Sequence, residues 1–161
     1  MPIFEDRVLT DTIEINTTPE KVFQFLTGIV DSEGYRAWHK KDHVAFRFIK
    51  GTPWTVGSVV VAEEYIHGKL HKLKFVVTKV VTNEKIEYAP TSWLLRKYFP
   101  HNEFTIEPQG EGCRFIASGT YRIGWIGKTL FKKKLEEGLS RIQRHMKEEG
   151  ENLKRILESG V

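Results

Sequence analysis

The sequence predicts an α+β domain in which an antiparallel sheet curls around one long C-terminal helix. Three features predict it. A strand at residues 9–15 leads directly into a helix start, several strands follow through the middle of the chain, and the last ~30 residues form an amphipathic helix pattern with no strand after it. A helix lying across one face of a curled sheet leaves space between the two, so we expect a ligand-holding cup.

Two short helices are predicted after the first strand. Thr17 or Thr18 can cap the first of them, and Pro19 sits in its first turn, where a missing N–H costs nothing. The second covers about residues 32–40 and carries Trp38 toward the core.

The middle of the chain reads as strands. Gly68-Lys69 is a hairpin signal between the two longest of them. The apolar stripe of the closing helix includes Leu135 and Leu139. The predicted strands after the helix pair cover residues 44–49, 58–67, 70–82, 86–89, 102–107 and 113–123.

Length and composition are those of an ordinary globular domain. A chain of 161 residues, 40% of them hydrophobic and 29% charged, fits one domain over residues 1–161 with a proper core. The single cysteine, Cys113, excludes an intramolecular disulfide framework and suits a reducing compartment. The N-terminus lacks the apolar core of a signal peptide, so we expect a cytoplasmic protein.

Charge says little about partners. The net charge of +4 is too small to predict nucleic-acid binding, and we expect none. No segment approaches the ~20 apolar residues of a membrane span, so stable membrane insertion is not expected. Residues 122–134 hold five basic residues and no acidic one, which leaves weak peripheral contact with an acidic or membrane surface as an alternative to a solvated face.

Three segments resemble the START/SRPBCC superfamily. Residues 13–26 (Ile-Glu-Ile-Asn-Thr-Thr-Pro-Glu-Lys-Val-Phe-Gln-Phe-Leu) resemble its opening, residues 35–38 its aromatic second helix, and residues 57–61 the strand that follows. The resemblance implies the helix-grip fold: a seven-stranded antiparallel sheet wrapped around a long C-terminal helix, two short helices after the first strand, and a deep cavity. Members of the superfamily include pollen allergens, lipid-transfer domains and polyketide cyclases. Their cavity residues vary, so the resemblance carries over no catalytic residue.

The pleat of the two long strands predicts what the cup contains. The second strand exposes two lysines on one face, so its cavity face should hold His71, and a tight turn near residue 68 would bring Glu63 or Tyr65 beside it. Glu63, Tyr65 and His71 are therefore the predicted polar contacts in an otherwise apolar cup. The predicted ligand-binding residues are Val61, Glu63, Tyr65, His71, Leu73, Phe75, Val77, Trp93, Phe104, Phe115, Leu135 and Leu139.

Binding of a small, largely hydrophobic molecule, lipid-like or polyketide and aromatic, is the function that this cup favours. The alternative is an enzyme of polyketide cyclase, dehydratase or hydrolase type, in which Glu63 and His71 act as acid–base groups with or without a metal. A purely structural role for Glu63 or Glu64 is a salt bridge to Lys69 or Lys72. A third alternative is an interaction module whose cup is filled by its own side chains, and the oligomeric state is left open.

Histidines raise the question of a metal. His39 and His43 stand at i, i+4, and would share a face if the second helix continued through them; His71 could be the third nitrogen. Because such histidines are more often surface or hydrogen-bonding groups, we expect no metal and no cofactor.

Residues 92–99 hold five large apolar or aromatic side chains between two strands, with Trp93 among them. We expect this segment to fill core space or to cover the mouth of the cup as a lid. The alternative joins it to Trp125, Ile126, Phe131 and residues 132–134 as a membrane-touching patch.

Overall fold

The computed structural model describes residues 3–66 and 68–159. Within these residues seven strands form one antiparallel sheet and five helices flank it. The strands are β1 (Phe4–Ile15), β2 (His43–Lys50), β3 (Val59–Ile66), β4 (Lys69–Val81), β5 (Lys85–Pro90), β6 (His101–Gln109) and β7 (Gly112–Gly124). The helices are α1 (Pro19–Thr27), α2 (Ser32–Trp38), α3 (Trp93–Tyr98), α4 (Trp125–Leu130) and α5 (Lys132–Glu158).

The sheet runs in the order β1-β7-β6-β5-β4-β3-β2, so consecutive hairpins build it and β1 returns beside the last strand. Helix α5 lies on one face, mainly against β1, with further contacts to β3 and β7. Gly150 permits the close approach to β1, because a Cβ atom there would lie 3.3 Å from side-chain atoms of Asp11 and Ile13. The predicted α+β helix-grip architecture is confirmed. The core includes Ile15, Val22, Leu26, Trp38, Phe115 and Leu153.

Local capping defines the helix pair. Thr18 accepts a hydrogen bond from the backbone N–H of Lys21, and Asp31 accepts one from that of Gly34. Helix α2 ends at Trp38 rather than near residue 40, and His43 already begins β2. The condition under which His39 and His43 would share one helical face is therefore not met, yet their ring centroids lie 5.3 Å apart.

The β3–β4 hairpin corrects the predicted register. Ile66 pairs with Lys69, which leaves two positions in the turn, so each odd-numbered residue of β4 lies opposite an even-numbered residue of β3. His71 therefore pairs with Glu64, and the prediction that Glu63 or Tyr65 shares its face was wrong. Val61, Glu63 and Tyr65 lie on the opposite face, across from Lys74, Lys72 and Leu70 respectively.

The connections around the closing helix also differ from the prediction. Residues 93–98 form the short helix α3, and Trp93 is 80% exposed, so the expectation that this residue fills core space was wrong. The closing helix is divided into α4 and α5, with Phe131 between them.

Candidate functional site

A group of buried acidic and basic side chains lies where α2, β2, β3 and α5 meet. His43 opens β2, Glu64 points inward from β3, and His145 and Glu149 occupy successive turns of α5. We call His43, Glu64, His145 and Glu149 the inner cluster. His43 is only 1% exposed, so a charge or an unpaired polar atom at this position has no solvent to stabilise it.

Distances within the inner cluster are short and uniform. Nε2 of His43 lies 3.5 Å from Oε2 of Glu64 and 3.2 Å from Oε2 of Glu149. Nε2 of His145 lies 3.3 Å from Oε2 of Glu64 and 3.4 Å from Oε1 of Glu149. Both imidazoles thus turn the same nitrogen toward the same two carboxylates.

Surrounding groups fix the orientation of these side chains. Nδ1 of His43 lies 2.9 Å from the carbonyl oxygen of Tyr35, and the two rings stack with centroids 3.7 Å apart. The Tyr35 hydroxyl donates a 2.7 Å hydrogen bond to Oε2 of Glu64. Nδ1 of His145 lies 3.0 Å from Oδ2 of Asp42. The inner cluster is therefore preorganised by the short segment from α2 to β2.

Opposing effects set the protonation of the inner cluster. Burial disfavours a charge on His145, but Glu149, Glu64 and Asp42 outweigh it and raise the pKa of His145 to about 10. Burial also opposes ionisation of Glu64, but His145, His43 and the Tyr35 hydroxyl outweigh it and lower the pKa of Glu64. Without a bound ion, His145 is therefore an imidazolium beside an ionised Glu64.

Four aromatic side chains line the inner face of the sheet beside this cluster: Phe75, Tyr88, Phe104 and Tyr121. Each is only partly buried, although the face lies toward α5. Ring centroids lie 5.2 Å apart between Phe75 and Tyr88, and 5.5 Å apart between Tyr88 and Phe104. Burial, then the charges of Glu149 and Glu64, raises the pKa of Tyr121 to about 12, which ties this ring to the inner cluster. We call Phe75, Tyr88, Phe104 and Tyr121 the aromatic wall.

A second group of histidine and carboxylates lies further along the sheet, across β5 and β6. Nε2 of His101 lies 3.1 Å from Oε1 of Glu87 and 3.2 Å from Oε2 of Glu103. Lys85 adds its ammonium group 3.5 Å from Oε2 of Glu103. We call Glu87, His101 and Glu103 the second cluster; its histidine side chain is 42% exposed.

The residues predicted from sequence are distributed over several environments. His71, Leu73, Phe75 and Phe104 lie half-buried on the inner face, and Leu135 is half-buried on α5. Val77, Phe115 and Leu139 are buried in the core, and Val61 is buried on the other face of β3. Glu63 pairs with Lys72, and Tyr65 is 41% exposed. Of the predicted metal candidates, His43 enters the inner cluster, His39 lies beside it against Glu148, and His71 stays outside it.

Sequence reasoning missed Glu64, His145 and Glu149 as a group. Glu64 was placed on the wrong face by the one-residue register error. His145 and Glu149 carried a usable signal, because an imidazole and a carboxylate at i, i+4 share one face of a helix. The apolar stripe of the helix does not reveal this signal, because His145 and Glu149 are not part of that stripe.

One end of the molecule exposes large apolar side chains on α3, α4 and the start of α5. Lys97 of α3 lies over the ring of Phe4, and the backbone N–H of Trp125 bonds to Ile3, so both short helices flank the start of β1. None of the helices in the described part of the chain is long and apolar enough to cross a membrane. The exposed side chains are Trp93, Leu94, Leu95, Trp125, Ile126, Leu130 and Phe131.

A groove of about 250 Å³ lies at the other end of β1. Its lining is mostly polar and includes Glu14, Gln109 and Lys154. The groove shares no lining residue with the aromatic wall or the inner cluster, and it does not match the apolar cup that the sequence predicted.

The sheet, its gripping helix and the inward-facing aromatic wall define a protein of the START-like helix-grip class. The chain belongs to the family described as polyketide cyclase / dehydrase and lipid transport, whose model matches residues 6–155. A comparison with curated proteins finds no match.

Solved structures share the fold at low sequence identity. Norcoclaurine synthase from Thalictrum flavum, solved in complex with dopamine and hydroxybenzaldehyde, is 11% identical over 99% of this chain and 90% of its own, with a TM-score of 0.73. TTHA0849 from Thermus thermophilus is 15% identical over 96% of this chain and 100% of its own, with a TM-score of 0.71. The di-domain ARO/CYC protein BexL is 14% identical over 93% of this chain and 49% of its own, with a TM-score of 0.69.

Proposed function

We propose that this protein binds a small, largely apolar molecule, aromatic, polyketide-like or lipid-like, between the inner face of the sheet and α5. The aromatic wall is the observation that carries the proposal. Aromatic rings on the helix-facing side of a sheet are normally sealed into the core, and these four keep partial exposure. A bound apolar molecule would remove that remaining surface from water.

The surroundings of the wall indicate a ligand with polar groups at one end. Tyr88 and Tyr121 bring phenols to the wall, and the carboxylates of Glu64 and Glu149 lie within electrostatic reach of both. Binding sites of this kind combine a predominantly apolar lining with a few polar groups that fix orientation. The small aromatic compounds held by norcoclaurine synthase, in the same fold, fit this description.

Steric blockage tests the proposal directly. Leu73 is half-buried on the inner face, opposite the small Ala62, so a Leu73→Trp side chain would project into the proposed binding space over the sheet. We expect the apolar fluorophore anilinonaphthalene sulfonate to bind the native protein and to bind Leu73→Trp about tenfold more weakly or worse. The measurement is a fluorescence titration, accompanied by native mass spectrometry of freshly purified protein to detect a co-purified organic molecule.

Tyr65→Trp is the matched control. It places the same side chain on the other face of the same hairpin, where Tyr65 is already exposed, and should leave fluorophore affinity unchanged. Equal binding by Leu73→Trp and the native protein, both folded by circular dichroism, would overturn the proposal.

A second candidate function is acid–base catalysis on the bound molecule, with Glu64 taking the role that the sequence predicted for Glu63. The buried contact of Glu64 with the Tyr35 hydroxyl and with His145 favours it, because a carboxylate between two proton-bearing groups can exchange protons with a substrate. An enzyme should change the mass of a co-purified molecule during incubation, and Glu64→Gln should abolish that change. A carrier would leave the mass unchanged in both proteins.

A further inference from the structure

The nitrogens of the inner cluster present a problem of hydrogen bonding. Among the described residues, three imidazole Nε2 atoms are buried without a hydrogen-bond partner: those of His43 and His145 in the inner cluster, and that of His71 outside it. Carboxylate oxygens lie 3.2–3.5 Å away, but off the line along which a ring N–H would donate. Buried polar atoms without partners are uncommon and require a physical reason.

The tautomer of His43 leaves its Nε2 without a proton to donate in the neutral ring. Its Nδ1 lies 2.9 Å from a backbone carbonyl oxygen, which can only accept, so Nδ1 carries the proton. In the neutral ring, Nε2 then presents a lone pair to two carboxylates. Nδ1 of His145 is held by Asp42, so the proton on Nε2 of His145 is the one that a bound cation would displace. In the neutral ring of His43, a buried lone pair that faces carboxylate oxygens is repelled by them unless a cation lies between.

The spacing of the four groups fits such a cation. Nitrogen and oxygen ligands ~2.0–2.2 Å from a tetrahedral Zn²⁺ are separated from each other by ~3.3–3.6 Å. The four nitrogen–oxygen separations of the inner cluster are 3.5, 3.2, 3.3 and 3.4 Å. A ring nitrogen of His43, an oxygen of Glu64 and a ring nitrogen of His145 all lie within 4.8 Å of one another, so a common centre is within reach of each.

We propose that the inner cluster is a binding site for a divalent transition-metal ion, Zn²⁺ foremost, with His43, Glu64 and His145 as ligands and Glu149 completing the set. Two imidazoles and a carboxylate suit Zn²⁺ and Fe²⁺ better than Ca²⁺ or Mg²⁺, which prefer oxygen alone. The hydrogen bonds from Tyr35 and to Asp42 hold the ligands in place, as the outer partners of metal ligands do in established sites. This inference does not depend on the proposed ligand binding.

Metal titration of the whole chain, first stripped with chelator, tests the proposal. We expect one equivalent of Zn²⁺ by calorimetry, one equivalent of Co²⁺ by its visible absorption, and a higher Tm with metal bound. Glu149→Gln should weaken Zn²⁺ binding about 100-fold, since even the loss of an orienting partner costs ~10–100-fold. Zero equivalents bound by the native protein would overturn the proposal.

Glu148→Gln is the matched control. It is the same substitution one position earlier on α5, where the carboxylate bonds to Nε2 of His39 instead of facing the cluster. Zn²⁺ affinity should be unchanged in Glu148→Gln; equal affinity in Glu148→Gln and Glu149→Gln would contradict the proposed ligand set. Should Glu149→Gln fail to fold, proton NMR of the native protein with Co²⁺ decides the question: the ring protons of His43 and His145 should shift strongly, and those of His101 should not.

Discussion

The inner cluster and the second cluster contain the same kinds of side chain at nearly the same distances. His101 lies 3.1 and 3.2 Å from its two carboxylates, which is as close as any contact of the inner cluster. The difference lies in the surroundings. His101 keeps 42% of its side chain exposed and forms a hydrogen bond with Glu103, whereas His43 is sealed from water and its Nε2 bonds to nothing in the described chain.

The comparison shows that proximity of histidine and carboxylate does not by itself define a site. In the second cluster, water and Lys85 can satisfy each charged group, so the arrangement is that of a surface ion-pair network. In the inner cluster, the carbonyl and hydroxyl groups of Tyr35 orient His43 and Glu64, and Nε2 of His43 faces carboxylate oxygens with no water to satisfy it. The two clusters therefore differ in burial and in the groups that orient their side chains. Single substitutions can test each of these differences.

The largest expected difference between the two clusters is in the free energy of unfolding that is lost when one carboxylate is removed from each. Glu64→Ala leaves the buried Tyr35 hydroxyl without its acceptor and takes one negative charge from His145, so we expect a loss of about 3 kcal/mol in the free energy of unfolding. Glu103→Ala removes a partly exposed ion pair and should cost about 1 kcal/mol or less. Urea unfolding with chelator present measures both, and equal losses would show that the burial difference has no energetic consequence.

A smaller loss in the free energy of unfolding is expected when the hydroxyl that orients Glu64 is removed. Tyr35→Phe keeps the ring that stacks on His43 but deletes the 2.7 Å hydrogen bond to the carboxylate, which should cost about 1.5–3 kcal/mol in the free energy of unfolding. Tyr98→Phe on the exposed face of α3 is the control and should change it by less than about 0.5 kcal/mol. A loss in Tyr35→Phe no larger than that of the control would mean that Glu64 is oriented by other groups.

The fold and the inner cluster differ in how far the sequence predicts them. Element order is a local signal that predicts the strands and the closing helix, and the capping residue Thr18 with Pro19 predicts the start of the helix pair. The inner cluster depends on non-local facts. The number of residues in one turn decides that Glu64 rather than Glu63 faces inward, and the packing of α5 on the sheet brings Glu149 to His43 from a distant part of the chain.

Trp93 shows the same limit for the surface. A tryptophan in an apolar segment predicts burial on composition alone, but α3 lies at the end of the sheet, where little of the fold remains to cover it. Side chains whose environment depends on where an element ends against its neighbours cannot be assigned from the pattern of that element.

The smallest effect concerns the pKa of Glu103 in the second cluster. Burial alone would raise that pKa, but the hydrogen bond with His101 and the charge of Lys85 outweigh it and lower the value. Since the folded-state pKa lies below the unfolded one, Glu103 stabilises the fold above the ordinary carboxyl pKa of ~4.3, and this contribution is lost as pH falls through the lowered value. His101→Asn should therefore raise the pKa of Glu103 in a carboxyl NMR titration. Glu158, whose pKa is lowered by a hydrogen bond that its carboxylate accepts from Lys154, should titrate unchanged in the same experiment. A Glu103 midpoint that does not move would mean that Lys85 alone sets it, and the second cluster would then be a lysine–carboxylate pair with a histidine nearby.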